Sequence, residues 1–330
     1  MKGLLTLCFS IFLLVASCQK KPVPKEAGSP RAELSRVSSK QLSSPLLAEY
    51  GQFLTSLDSA KVENVSKAAA KYVALFEGQP QSFADSGYVL FDRFFLRVDN
   101  TINEVHANDT TDYDPLVTKT KEPIPKQLLE YNRIAKANGF ELAMTEGMTY
   151  LNQDRDFIAK NFYPSISPTL KEYLVQLNKE NKEGFSEDGG LTTTPTQLAD
   201  RVVWWENFTQ EHPDFIFIKE ARMISEDYLT YFLIGMDNTP VLIFGGNKLD
   251  PEFDRAYRHL LKKAPNSKAS KAVQPYFKAL QKSDTVSANA LLKQYQQAGI
   301  IYNPYKRCFI FSKNKDAGNK RFRHLFYKTT

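Results

Sequence analysis

Residues 225–265 read SEDYLTYFLIGMDNTPVLIFGGNKLDPEFDRAYRHLLKKAP, and this stretch contains the pattern that decides the fold. Ser225, followed by two acidic residues, is typical of a helix start, because a capping side chain and early acids complement the amino end of a helix. Asp250-Pro251-Glu252 predicts a second helix start. Both predicted helices carry apolar residues at helical spacing, which are Tyr228, Leu229, Phe232 and Leu233 in the first and Phe253, Ala256, Tyr257, Leu260 and Leu261 in the second.

The same helical pattern recurs along most of the chain from residue 46 to residue 300. Helix-like segments end near Pro164, Pro213 and Pro265, which are separated by 49 and 52 residues. Helical hairpins that recur at such a period are typical of stacked, solenoid-like units. The alternative is an irregular helical domain whose helices end at prolines. We predict a mainly α fold of helical hairpins, with a minor C-terminal β-hairpin.

Local signals also predict where individual elements lie. Residues 107–125 are polar and contain three prolines, so they predict a loop and a candidate sub-boundary within the helical domain. Two helices are expected next, over residues 126–138 and 140–162. Residues 215–218 fit either a helix start or a strand, and residues 241–244 fit a short strand.

Length, charge and cysteine content limit the classes of protein that the chain can belong to. Its 330 residues are 42% hydrophobic, which is enough to bury a full core. The net charge of +6 is too small to indicate a nucleic-acid partner. With cysteines only at Cys8, Cys18 and Cys308, the folded part can hold neither a disulfide framework nor a cysteine-based metal site.

The N-terminal residues resemble the leader of a bacterial lipoprotein. Residues 1–17 combine a basic start with a short apolar core, which is typical of a signal peptide. Val15-Ala16-Ser17-Cys18 resembles a lipobox, and this resemblance implies cleavage before Cys18 and attachment of a lipid, such as palmitate, to it. Residues 18–45 then predict a flexible tether with a reach of about 25–30 Å. The alternative is an ordinary signal peptide with a chance cysteine.

The resemblance to lipoproteins also implies an address in the cell envelope. Gln19 and Lys20 follow the cysteine where an aspartate would resemble an inner-membrane retention signal. The chain is therefore expected on the periplasmic face of the outer membrane if its source is Gram-negative. A second, weaker resemblance covers residues 256–280, which are similar to a tetratricopeptide hairpin through Ala256, Tyr257, Pro265, Ala269, Ala272 and Tyr276.

Motifs for catalysis or cofactor binding do not stand out in the sequence. The four histidines lack metal-ligand spacing, and each is predicted to lie at the surface or in a loop. No Gly-x-Ser-x-Gly elbow occurs, and no cofactor is implied. Trp204-Trp205 is the unusual pair, because adjacent helical residues point about 100° apart. Trp205 is expected in the core, whereas Trp204 is a candidate for stacking on a sugar or peptide, the alternative being one wide buried stripe.

The C-terminal segment, residues 301–330, alternates basic and aromatic residues and predicts a β-hairpin. Lys320, Arg321 and Arg323 are candidates for contact with an anionic lipid or polysaccharide surface. The alternative is a solvated edge whose charge prevents strand aggregation.

Three functional classes remain open from the sequence. The leading hypothesis is a non-enzymatic envelope lipoprotein that binds a protein or glycan partner through its helical surface. The second is an enzyme acting on cell-wall or glycan material with a carboxylate pair in a cleft near Trp204. The third is a structural envelope spacer that needs no pocket.

Overall fold

A computed structural model describes residues 44–304, and this part of the chain is mainly α-helical, which confirms the predicted fold class. The described residues form eleven α-helices and three two-stranded antiparallel hairpins. The helices are α1 (Pro45–Ser56), α2 (Asn64–Phe76), α3 (Gln81–Ala107), α4 (Lys126–Ala137), α5 (Arg155–Phe162), α6 (Pro168–Glu183), α7 (Pro195–Glu211), α8 (Ile218–Ile234), α9 (Pro251–Lys263), α10 (Lys268–Gln281) and α11 (Thr285–Gln297). The strands are β1 (Phe140–Thr145), β2 (Met148–Gln153), β3 (Ser186–Glu187), β4 (Gly190–Leu191), β5 (Gly235–Met236) and β6 (Thr239–Pro240).

The first three helices pack on one another around an aromatic core. α3 is the longest helix, and its Phe91 and Phe94 are fully buried. Tyr72 of α2 packs against Phe162 of α5 with 4.5 Å between ring centroids, and Phe162 also lies 4.3 Å from Phe91. Such aromatic pairs add about 0.5–1.5 kcal/mol each beyond the area they bury. This cluster joins the N-terminal helices to the rest of the body.

A unit of one β-hairpin followed by two helices occurs three times in succession. The units are β1–β2–α5–α6, β3–β4–α7–α8 and β5–β6–α9–α10. A glycine with positive φ joins the preceding helix to each hairpin, at Gly139, Gly184 and Gly235. The three prolines singled out in the sequence, at positions 164, 213 and 265, lie in the turns between the paired helices. The predicted helical hairpins are therefore present, and a β-hairpin separates each from the next.

The three β-hairpins contact one another in chain order. The Thr145 hydroxyl lies 3.4 Å from Oε1 of Glu187, which links the first hairpin to the second. Thr239 Oγ1 accepts a hydrogen bond of 2.9 Å from the Leu191 amide, which links the second to the third. The backbone amide of Asn238 also donates to the Gly189 carbonyl at 2.9 Å. Consecutive units are therefore held together at their hairpins as well as through their helices.

The prediction of one helix over residues 140–162 is wrong. Residues 140–153 form the β1–β2 hairpin, and only Arg155–Phe162 is helical. Glu146 and Gly147 both adopt positive φ, at 49° and 75°, and this conformation turns the chain back on itself as in a type I′ turn. Asp154 then caps α5 by accepting a hydrogen bond from the Asp156 amide.

The prediction that a helix begins at Ser225 is also wrong, because α8 begins at Ile218. Ala221 and Ile224 are buried and extend the apolar stripe of Tyr228 by two turns toward the amino end. Of the two structures predicted for residues 215–218, the helix start is the one observed. Residues 108–125 form a loop with one short 3₁₀ turn, Asp114–Leu116, as predicted for this segment.

Several predictions fall outside the described residues. These are the leader, Cys18, the tether up to residue 43, and the basic tail with Lys320, Arg321 and Arg323. Within residues 44–304, no helix has the length and apolar character needed to cross a membrane.

Candidate functional site

The two tryptophans lie on α7 and point in different directions. Trp205 is fully buried, as its helical spacing with Val202 and Phe208 predicts. Trp204 is half-buried and stacks on Phe208, with ring centroids 5.1 Å apart and planes 11° from parallel. Its ring therefore packs against its own helix on one side and is partly open to solvent.

Trp205 contacts a buried carboxylate that the sequence did not single out. Its indole Nε1 donates to Glu180 Oε1 and Oε2 at 2.9 and 3.1 Å. The Tyr228 hydroxyl and the Gln176 amide donate to the same carboxylate at 2.8 and 2.6 Å. Arg201 lies beside this carboxylate and donates a hydrogen bond of 2.8 Å to the Gly184 carbonyl. This Glu180 cluster fastens α6, α7 and α8 together.

The Glu180 cluster is enclosed rather than accessible. Glu180 is 2% exposed, Tyr228 is 1% exposed and Trp205 has no exposed surface. Three donors already fill the acceptor sites of the carboxylate, so its geometry is that of a structural polar network. A substrate has no access to this carboxylate, which does not favour the hypothesis of an enzymatic cleft beside the tryptophans.

The Glu180 cluster makes stability depend on pH. Burial raises the pKa of the Glu180 carboxyl, although Arg201 and the three donors act in the opposite direction. In the unfolded chain a glutamate titrates near pKa about 4.3. The raised pKa therefore adds to the free energy of unfolding in full below about pH 4.3, where the carboxyl is protonated in both states. This added stability is lost as the pH rises through the raised pKa of the folded state.

We expect Glu180→Gln to remove this pH dependence, because glutamine does not titrate. The free energy of unfolding of the wild type minus that of Glu180→Gln should fall as the pH rises above about 4.3, the pKa of a glutamate in the unfolded chain. Urea unfolding followed by tryptophan fluorescence at several pH values measures this difference. A difference that stays constant or rises with pH would contradict the expectation.

An open groove lies between α1 and α3, and we call it the α1–α3 groove. Its volume is about 710 Å³. Seven of the lining residues belong to α1 and three to α3. They are Leu47, Ala48, Gly51, Gln52, Leu54, Thr55 and Ser56 from α1, and Leu90, Arg93 and Arg97 from α3. Leu47 and Leu54 are buried, so the groove has an apolar floor.

Two arginines form one wall of the α1–α3 groove. Arg93 and Arg97 are one helical turn apart on α3, and both are exposed. Like charges at this spacing destabilise a helix by about 0.2–0.5 kcal/mol. The Arg97 guanidinium lies over the Phe94 ring at 5.5 Å, and partial burial lowers its pKa. No carboxylate of residues 44–304 forms an ion pair with Arg97.

Gly51 lies in the middle of α1 and faces the groove. A Cβ atom built at this position would meet no atom within 4 Å, so helix packing does not require a glycine here. Glycine inside a helix costs about 0.5–1 kcal/mol relative to alanine. The glycine thus lowers stability and keeps the groove open.

Gly51→Ala is therefore expected to stabilise the fold by about 0.5–1 kcal/mol. Chemical denaturation of the two proteins side by side measures this gain. Gly87→Ala is a suitable contrast, because a Cβ there would lie 2.6 Å from the Phe76 ring and should destabilise the fold. A loss of stability in Gly51→Ala would show that the position is packed after all.

The histidines and carboxylates elsewhere do not form a second candidate site. His106 is buried, so its predicted surface or loop position is wrong; its ring bonds the Tyr131 hydroxyl at 2.9 Å and Thr149 Oγ1 at 3.0 Å. His259 Nε2 lies 2.7 Å from Asp200 Oδ1, and Lys263 Nζ lies 2.7 Å from the same oxygen atom. Across residues 44–304, no group of His, Cys, Asp and Glu side chains is arranged to hold a metal ion.

The α1–α3 groove was missed in the sequence because its walls are about 40 residues apart in the chain. Two local signals could have indicated the groove. One is a glycine, Gly51, inside a predicted helix, and the other is a pair of arginines, Arg93 and Arg97, spaced one turn apart on a helix rich in aromatic residues. Comparison of the chain with protein-family models, with curated proteins and with solved structures found no match in any of the three.

Proposed function

We propose that this chain is a lipid-anchored binding protein of the bacterial cell envelope and that the α1–α3 groove holds its ligand. The observation that carries the proposal is an open groove with a buried leucine floor and a wall of two arginines. Gly51 adds support to the proposal. A glycine at this helical position lowers the stability of the helix, although there is room for a side chain, and its absence leaves the groove open. The protein acts by binding, without chemistry of its own.

The anchor is part of the same proposal. Cys18 receives the lipid after cleavage of the leader, and the tether separates the body from the membrane. In a Gram-negative source the protein lies on the periplasmic face of the outer membrane. Replacing Cys18 by alanine should move the protein out of the membrane fraction. Unchanged partition between membrane and soluble fractions would contradict the anchor.

The binding role is tested with protein isolated from its own envelope. Native mass spectrometry of the extracted full chain should reveal a bound species in the wild type. The same species should be lost in Gly51→Trp, whose side chain fills the groove. Gln127→Trp is the control, because Gln127 is an exposed residue of helix α4 and does not line the groove. A ligand-free wild type would favour the spacer hypothesis, and equal retention in both variants would place the ligand elsewhere.

A further inference from the structure

We infer that the loop between β6 and α9, residues 241–250, inserts its tip, residues 243–246, into the surface of a lipid bilayer. The inference goes beyond the proposed function, because it does not involve the α1–α3 groove. It shares one premise with that proposal, namely the lipid anchor that keeps the body of the protein near a membrane. Three properties of the 241–250 loop support it, which are its length, its exposed apolar tip and its hydrogen-bonded backbone.

The 241–250 loop is an insertion in the third of the three repeated units. In the first unit a single residue, Asp154, connects the β-hairpin to the helix that follows. In the second unit residues 192–194 make this connection, whereas the third unit uses residues 241–250. Insertions within single repeats map to loops on one face of a repeat protein, and this is often the face that binds a partner. The long connection therefore marks the 241–250 loop as a candidate for contact with a partner.

Two large apolar side chains lie at the tip of the 241–250 loop. Phe244 is 72% exposed and Ile243 is 46% exposed. Every other phenylalanine of residues 44–304 is buried or half-buried. Leu242 and Leu249, on either side of the tip, pack against the hydrophobic core. The base of the loop is therefore fastened to the body, while its tip presents apolar surface to the outside.

Hydrogen bonds within the loop hold Phe244 in its exposed position. The Gly246 amide donates to the Ile243 carbonyl at 2.9 Å, and Gly245 has a φ of 70°. This is the pattern of a type II β-turn with Phe244 at its first corner. The Ile243 amide donates to the Lys248 carbonyl at 2.9 Å. Backbone groups that are already paired cost less to transfer into an apolar medium, so this turn is suited to enter one.

The dimensions of the tip suit a bilayer better than a folded protein partner. Leu242 and Leu249 pair across the loop, and the apex lies two residues further on, or about 7 Å at the spacing of a strand. Apolar groups of surface-bound proteins enter the membrane interface to a depth of about 5–10 Å. A stable protein interface uses about 20–30 residues on each side, many more than residues 243–246 provide. A fluid bilayer needs no complementary surface, and an anchor keeps the tip close to it.

The charges of the 241–250 loop are compatible with contact with lipid. Lys248 is exposed beside the tip, and a lysine can bury its apolar stem while its ammonium group stays among lipid head groups. The acidic residue of the loop, Asp250, lies at the base. Its side chain caps α9 by accepting a hydrogen bond of 2.8 Å from the Glu252 amide. The side chains at the tip are therefore apolar or basic.

The test measures how strongly lipid-free protein binds vesicles of phosphatidylcholine, which carry no net charge. The protein is the chain from residue 18 onward with Cys18→Ser, so that an attached lipid does not mask the loop. We expect the wild-type loop to bind. The double variant Ile243→Ser and Phe244→Ser should bind at least about tenfold more weakly, because it lacks the apolar surface that enters the interface. The difference should persist at high salt, which screens contributions from basic residues elsewhere in the chain.

Control variants show whether the tip itself enters the bilayer. Val286→Ser removes an 80% exposed side chain from α11 and should leave binding unchanged. Phe244→Trp should keep or strengthen binding, because tryptophan favours the membrane interface. An environment-sensitive dye on Asn247→Cys, with Cys308→Ser, leaves both apolar side chains in place. Its emission should shift to the blue when vesicles are added, whereas the same dye on Gln127→Cys of α4 should show no shift.

The outcomes distinguish this inference from the proposed function. Absence of vesicle binding by the wild-type loop, or equal binding by the double serine variant, overturns the inference. A double serine variant that binds vesicles normally but loses a co-purified protein would indicate a protein partner and also overturn it. The groove and the anchor are tested separately by Gly51→Trp and Cys18→Ala, and neither substitution changes the tip.

Discussion

Trp205→Ala is expected to lower the free energy of unfolding by about 3–5 kcal/mol, the usual cost of removing a buried tryptophan. The ring is fully buried and packs edge-on against Tyr173, with centroids 5.6 Å apart. Its loss also removes one of three hydrogen-bond donors to Glu180. Thermal unfolding should show a midpoint lowered by on the order of 10 °C.

Trp204→Ala is the matched control, because it removes the same side chain one position earlier on the same helix. Trp204 is half-buried and stacks on Phe208, so we expect a cost of only about 1–2 kcal/mol. Equal costs for the two substitutions would mean that Trp204 is as much a core residue as Trp205. Trp205→Phe separates packing from hydrogen bonding, because it keeps most of the ring and removes the donor.

The start of α9 at Asp250 could be predicted because its signals are local. Ser167, Thr194 and Asp250 each precede a proline, and each side chain accepts a hydrogen bond from a backbone amide two or three residues later. The capping side chain, the proline that follows it and the backbone amide that donates to the cap all lie within one helical turn. Such signals do not depend on tertiary packing.

The Glu180 cluster and the α1–α3 groove could not be predicted in the same way. Glu180 meets Trp205 across 25 residues and Tyr228 across 48. In the sequence it is one of many carboxylates on helices, most of which face solvent. Likewise, Arg97 lines a groove with Leu54 only because α1 and α3 pack side by side. Tertiary packing, rather than local pattern, creates both features.

The β1–β2 hairpin shows how a local pattern can mislead. Its residues are compatible with a helix, and Glu146-Gly147 is a weaker turn signal than Asn-Gly or Asp-Gly. What stabilises the strand lies elsewhere in the chain. The Asn103 side chain on α3 donates to the Leu151 carbonyl at 3.0 Å and accepts from the Leu151 amide at 2.8 Å. This Asn103 clamp satisfies the outward-facing backbone groups of β2 as a third strand would.

Asn103→Ala is therefore expected to destabilise the fold by about 2–4 kcal/mol, because two backbone groups of buried Leu151 lose their partners. The substitution also removes a donor from Asp99, which is 1% exposed and accepts from the same amide at 2.8 Å. Glu104→Ala is the matched control, because Glu104 is the next residue on α3 and its side chain is exposed.

Hydrogen exchange at the Leu151 amide provides the readout that separates the Asn103 clamp from a general loss of stability. In Asn103→Ala this amide should exchange faster than the global unfolding rate permits, whereas core amides of α7 should follow global stability. In Glu104→Ala both should match the wild type. If the Leu151 amide stays as protected as the α7 core in Asn103→Ala, the strand does not depend on the clamp, and the turn at Glu146-Gly147 must be sufficient to hold the hairpin.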